Sequence, residues 1–154
     1  MSAGSAFDIE NFMDQGTDEM GDTRFKSTPS GKYPAIIDDV KVRSGESKKT
    51  GQPWIGIEIF WNCNLDAAAQ KVTGRERSTV RQSFLLDVDK QGKLDMSAGK
   101  NIRLNQVREA VGAVKGFKFG KLKGAGPAMV NVTERPDPND PDTIYNDVRS
   151  VEKM

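Results

Sequence analysis

In QPWIGIEIFWN, residues 52–62, apolar residues alternate with a second set of Trp54, Gly56, Glu58 and Phe60. A β-strand sends successive side chains to opposite faces. Ile55, Ile57, Ile59 and Trp61 therefore form one apolar face and leave two aromatic rings on the other. Downstream, ERSTVRQSFLL (residues 76–86) puts Ser78, Val80, Gln82, Phe84 and Leu86 on one parity and Arg77, Thr79 and Arg81 on the other. If the two strands are neighbours with their apolar sides turned inwards, Trp54 and Phe60 share an outer surface with Arg77 and Arg81. Flat rings stack on unpaired bases, each stack being worth about 1–3 kcal/mol, whatever the base. Cationic side chains meet phosphates and release counterions. Lys48 and Lys49 in the preceding loop and Arg135 in a later one add positive charge. Tyr145 adds a further ring, although its parity does not fix a face. Other roles stay open at this point. Trp54 can pack beneath the Lys48–Gly51 loop, Phe60 can pack against the segment after Asn62, and Arg77 and Arg81 can pair with Glu58 and Glu76. Lys48 and Lys49 can be simple loop solvation. Trp61 is assigned to the core.

The composition removes most catalytic chemistry. The 154 residues include no histidine and one cysteine, Cys63. Histidine-dependent triads, Cys–His dyads and nitrogen- and sulfur-ligated zinc sites are excluded. GFKFGKL, from Gly116, has neither the spacing nor the hydroxyl of a phosphate-binding loop. A carboxylate–magnesium site is the remaining enzymatic chemistry. Its one acidic cluster, RPDPNDPD (residues 135–142), reads as a proline-rich turn. The expectation is a non-enzymatic chain without a metal or cofactor. One cysteine cannot form an internal disulfide and fits a reducing compartment. No apolar run approaches the roughly 20 residues of a membrane span, and the N-terminus lacks the basic and apolar regions of a secretory signal. A cytoplasmic location without membrane association is expected.

Charge is unevenly distributed. Residues 1–23 hold six acids and no Lys or Arg, whereas the remaining 131 residues hold 23 basic and 16 acidic side chains, a net +7. Such a basic body suits a polyanion. The length favours a single domain, divided here into an acidic, disordered tail (residues 1–29) and a folded body (residues 30–154). Within the tail, AFDIENFMD sets Phe7, Ile9 and Phe12 among acids. This is either a frayed end or a short peptide that docks a protein partner and shields the basic face.

The elements that must position the rings are short strands. KYPAIIDDVKVR (residues 32–43) starts with Tyr33, Ala35 and Ile37 on its apolar parity and then switches to Val40 and Val42. One extra residue near Asp38–Asp39 produces such a switch, which is a β-bulge and a bend. Strands follow at about residues 54–62, 76–86, 127–134 and 144–151. Between the third and fourth lies one helix, with Leu104, Val107 and Val111 on its apolar stripe, Asn101 or Ser97 to start it and Gly112 to end it. The order β-β-β-α-β-β with a bent first strand predicts a mainly β, five-stranded OB-fold barrel. Closure removes the exposed edges of a small sheet.

SGKYPAIIDDVKVRSGESKKTGQPWIGIEI, TGRERSTVRQSFLL and FGKLKGAGPAMVNVTERPDP with its later YNDVRSVEKM together resemble bacteriophage-type single-stranded DNA-binding proteins. The resemblance spans roughly residues 30–154. It implies an OB-fold that coats single-stranded DNA without sequence preference during replication or recombination, in the host cytoplasm if the chain is phage-encoded. Recruitment of replication or recombination proteins is inferred from the acidic aromatic peptide of the tail and not from the resemblance. Many single-strand binders recruit through an acidic, aromatic-tipped C-terminal peptide, whereas this chain ends in SVEKM and carries its acidic aromatic peptide at the front. Self-association remains open. An RNA-binding OB module and a protein–protein adaptor using the aromatic patch as an interface are the alternatives.

Overall fold

The computed structural model describes residues 8–17 and 26–154. Its elements are α1 (Ile9–Met13), β1 (Gly31–Glu46), β2 (Pro53–Asn64), α2 (Ala67–Thr73), β3 (Arg77–Leu85), α3 (Ile102–Val111), a single 3-10 turn at Phe119–Lys121, β4 (Ala128–Asp137) and β5 (Asp140–Lys153). The protein is mainly β. All five strands belong to one antiparallel sheet in the order β3-β2-β1-β4-β5. Among the described residues no hydrogen-bonded pairing joins β3 to β5, so the sheet is open in its ladder where a closed barrel was expected. No described helix is long and apolar enough to cross a membrane.

β1 serves two halves of the sheet. Its first residues, Gly31–Ala35, pair with β4, and Ala35–Glu46 pair with β2. The register shifts between Ile37 and Asp39, at the site where the apolar parity changes in the sequence. The extra residue bends the strand and exchanges its faces. Tyr33, Ala35 and Ile37 are buried before the bulge, and Val40 is half-buried after it. Val42 is 49% exposed because the β1–β2 hairpin runs past the core. At the bulge Ile37 turns its backbone to the segment before β4, donating to the Ala125 carbonyl at 3.0 Å and accepting from Gly124 N–H at 2.7 Å.

Ile57, Ile59, Trp61 and Cys63 of β2 form the centre of the core, with Val80 of β3 and Val130 and Val132 of β4. Trp61 is fully buried, and its indole N–H donates to Gln82 Oε1 at 2.9 Å. A buried ring N–H without a partner would cost desolvation energy. Ile55 and Phe84, expected inside, are half-buried at the margin. α3 contributes Leu104, Val107 and Ala110, so Ala110 rather than Val111 completes its buried face. Asn101 occupies the N-cap position in the left-handed conformation, but its side chain does not cap the helix. It donates instead to the Asp87 and Asp95 carbonyls and accepts from Asp87 N–H, fastening the loop after β3. Gly112 ends α3 at φ 75°, where a Cβ would be strained. The segment after β2 contains α2, whose Asp66 cap accepts from Ala69 N–H at 2.8 Å.

The packed body begins before residue 30. Thr28 is fully buried, with its hydroxyl 2.6 Å from Ser78 Oγ on β3. Its backbone exchanges two 2.8 Å hydrogen bonds with the Asn146 amide on β5. Ser27 and Ser30 both bond the Glu134 carboxylate on β4. This strap connects the two sheet edges that lack a ladder between them.

Candidate nucleic-acid interface

The outer face of β1, β2 and β3 follows from the register, since directly opposed residues of antiparallel strands share a face. Along β2 it carries Trp54, Gly56, Glu58 and Phe60. Across from these, β1 presents Gly45, Arg43, Lys41 and Asp39. β3 presents Leu85 beside Gly56, Ser83 beside Glu58, and Arg81 beside Phe60. Trp54 and Phe60 are six residues apart, about 20 Å along a strand.

Trp54 is 38% exposed, and its indole lies over Gly45. A Cβ on Gly45 would come within 2.8 Å of Trp54 Cζ2, so glycine at that position admits the ring. Trp54 thus packs on β1 itself. Phe60 is half-buried, with Lys41 Nζ 5.3 Å from its ring centroid, within cation–π range. Between the rings, Glu58 is 8% exposed. Its Oε1 stands 3.4 Å from Arg43 Nε and 3.7 Å from Arg81 Nη1. Two cations on one carboxylate leave a positive remainder. Both arginine side chains stay more than half exposed, at 62% and 61%. With five N–H donors each, both guanidinium groups can meet a phosphate without releasing Glu58, whose carboxylate would be costly to leave unpaired.

The other expected residues lie around this face. Arg77, exposed, opposes Asn64 at the start of β3, and Thr79 opposes Asn62. Lys48 and Lys49 are exposed in the β1–β2 turn, which Gly51 N–H closes on the Ser47 carbonyl at 2.8 Å. Arg135 and Tyr145 oppose each other on β4 and β5, with no β-pairing to β2 or β3. Arg135 Nε donates to Asp147 Oδ2 at 2.8 Å, and its guanidinium lies 5.1 Å from the Tyr145 ring. The Tyr145 hydroxyl donates to Asp137 Oδ2 at 3.0 Å. Accepting from Asn139 N–H, and then from Tyr145, holds Asp137 below the usual carboxylate range, and the same Asp137 contact raises the tyrosine. RPDPNDPD forms the end of β4, the turn and the start of β5. In the tail, Ile9 and Phe12 are 75% and 58% exposed on α1, which Asp8 caps by accepting from Glu10 and Asn11 N–H. Phe7 lies outside the described residues.

Sequence reasoning missed Lys41 and Arg43. The bulge that exchanges the faces of β1, turning Val40 towards the core, also places these two cations on the face of Trp54 and Phe60, so the parity switch was the available signal. Comparison of the chain with protein-family models, curated proteins and solved structures finds no match.

Proposed function

We propose that the protein binds single-stranded DNA non-catalytically and with little sequence preference, protecting strands exposed in replication or recombination. The observation that carries this reading is the outer face of β1–β3, where an exposed Trp54 and a half-exposed Phe60 lie in line between Lys41, Arg43 and Arg81. Bases stack on the two rings and phosphates meet the three cations. Lys48, Lys49 and Arg77 extend the positive path at either end. Arg135 and Tyr145 are secondary contacts, because they stand on β4 and β5 and not on the β1–β3 face. We take the open sheet, whose β3 and β5 edges the Thr28 strap connects, as an OB-type arrangement, and the β2–β3 face of that fold is a common oligonucleotide surface. The acidic tail offers Phe7, Ile9 and Phe12 to replication or recombination proteins.

Titration with oligo-dT at two ionic strengths tests the proposal. Trp54 is exposed and Trp61 fully buried, so quenching comes from Trp54 and disappears in Trp54→Phe. Salt reverses it, with log K falling by about 0.7 per neutralised phosphate for each unit of log salt. Competition with a matched RNA oligomer separates DNA from RNA preference. Absence of any salt-reversible quenching refutes single-strand binding through this face.

A further inference from the structure

The missing side chain of Gly56 leaves a slot in the outer face. Trp54 and Glu58 flank it along β2, Arg43 on β1 and Leu85 on β3 flank it across the strands, and Ser83 lies diagonally. Together they line a cleft of about 370 Å³, at the small end of the roughly 300–1,000 Å³ range of ligand sites. A Cβ on Gly56 would sit 3.3 Å from the Phe84 carbonyl oxygen, 3.5 Å from Leu85 Cδ2 and 3.7 Å from Trp54 Cζ3, so the β3 backbone and both apolar side chains border the slot.

Glu58 gives this slot a chemical preference. Its side chain is 11% exposed, and its two cations stand at ion-pair distances. Both separations, 3.4 and 3.7 Å, are longer than a charge-assisted hydrogen bond, so the carboxylate keeps acceptor capacity for donors of a ligand. Resting on the single-strand reading, we propose that this slot takes one unpaired guanine base, stacked against Trp54, with its Watson–Crick edge on Glu58. Guanine presents two adjacent donors, N1–H and the N2 amino group, which match the two oxygens of a carboxylate. Its O6 and N7 are acceptors suited to the Arg43 guanidinium. Adenine and cytosine set a ring-nitrogen acceptor beside their single amino donor and so repel one carboxylate oxygen. Thymine places its one N–H between two carbonyls. The slot therefore adds a bias at one nucleotide to a surface that otherwise tolerates any sequence.

The test compares short oligo-dT strands carrying one central dG, dA or dC with uniform oligo-dT, for the full chain and for the Glu58→Gln and Gly56→Val variants. Folding is checked by thermal denaturation. The expected result is roughly tenfold tighter binding of the dG strand by the native protein. That ratio falls towards one in Glu58→Gln, which replaces a paired acceptor by an amide, and in Gly56→Val, which fills the slot. Equal binding of all four strands overturns the slot and leaves single-strand binding standing, and it decides the matter even if a variant does not fold. A dG preference that persists in both folded variants also overturns it, since the base is then read elsewhere. No binding to any strand overturns the proposed function and the slot with it.

Discussion

Replacing Trp54 by alanine isolates the stacking contribution. One face of the indole is covered by Gly45, as shown by the 2.8 Å approach of a Cβ at that position to Cζ2. The ring therefore has one free face and accepts one base. A single stack is worth about 1–3 kcal/mol. The residue is 38% exposed, and one stack on such a partly covered ring corresponds to the middle of the range, about 1.5–2 kcal/mol, or roughly tenfold to thirtyfold in affinity at 1.4 kcal/mol per decade. The substitution removes no charge, so the slope of log K against log salt stays at its native value while the whole line moves down. Because the variant loses its reporter, affinity is measured by anisotropy of a labelled oligo-dT. Trp61, fully buried and bonded to Gln82, serves as the folding control, and its emission stays that of a ring shielded from water. A folded variant whose affinity lies within about twofold of native, less than one stack supplies, refutes the assignment of Trp54 as a base platform.

Gly45→Ala forces the Trp54 ring off β1, and weaker oligo-dT binding with a shifted Trp54 emission is expected; native emission together with native affinity would show the close approach to be unimportant. Arg43→Gln and Arg81→Gln each remove one phosphate partner and lower the magnitude of the salt slope by about 0.7, as read from titrations at several salt concentrations; an unchanged slope with unchanged affinity counts against that contact. Removing residues 1–23 deletes six negative charges and tightens oligo-dT binding at low salt, an effect that fades as the Debye length falls; unchanged or weaker binding rules out shielding by the tail. Burial pushes the Cys63 thiol up to about 12 from 9.0. The fold favours the protonated form, so this contribution to stability is complete below the unfolded value and is lost as pH rises through the window from 9.0 to about 12. Denaturant midpoints across that window should fall in the native protein and fall less in Cys63→Ala.

Local patterns were legible because they obey short periods. The two-residue alternation in 52–62 identified β2 and its buried Ile57, Ile59 and Trp61. The parity switch in 32–43 located the bulge between Ile37 and Asp39, since one inserted residue reverses every later side chain. The helix between β3 and β4, with Gly112 ending it, also followed from periodicity and capping chemistry. Cap bonding at Asn101 did not, because its amide found partners at Asp87 and Asp95 that become neighbours only after folding. The pairing of Arg81 with Glu58 was among the open readings, whereas that of Arg43 with the same carboxylate was out of reach, because it depends on the register of β1 against β2.

The sequence by itself determined the excluded chemistry, the excess positive charge of the body, the strand order along the chain and which side of β2 turns inwards. These depend on residue type and on the fixed geometry of an extended backbone. Only the tertiary structure decided that Trp54 rests on a glycine of β1, that Glu58 sinks between two arginines and that Thr28 ties β3 to β5 across an unpaired edge. Those contacts link residues between 9 and 118 positions apart, and strand register, which no local pattern encodes, sets which of them meet.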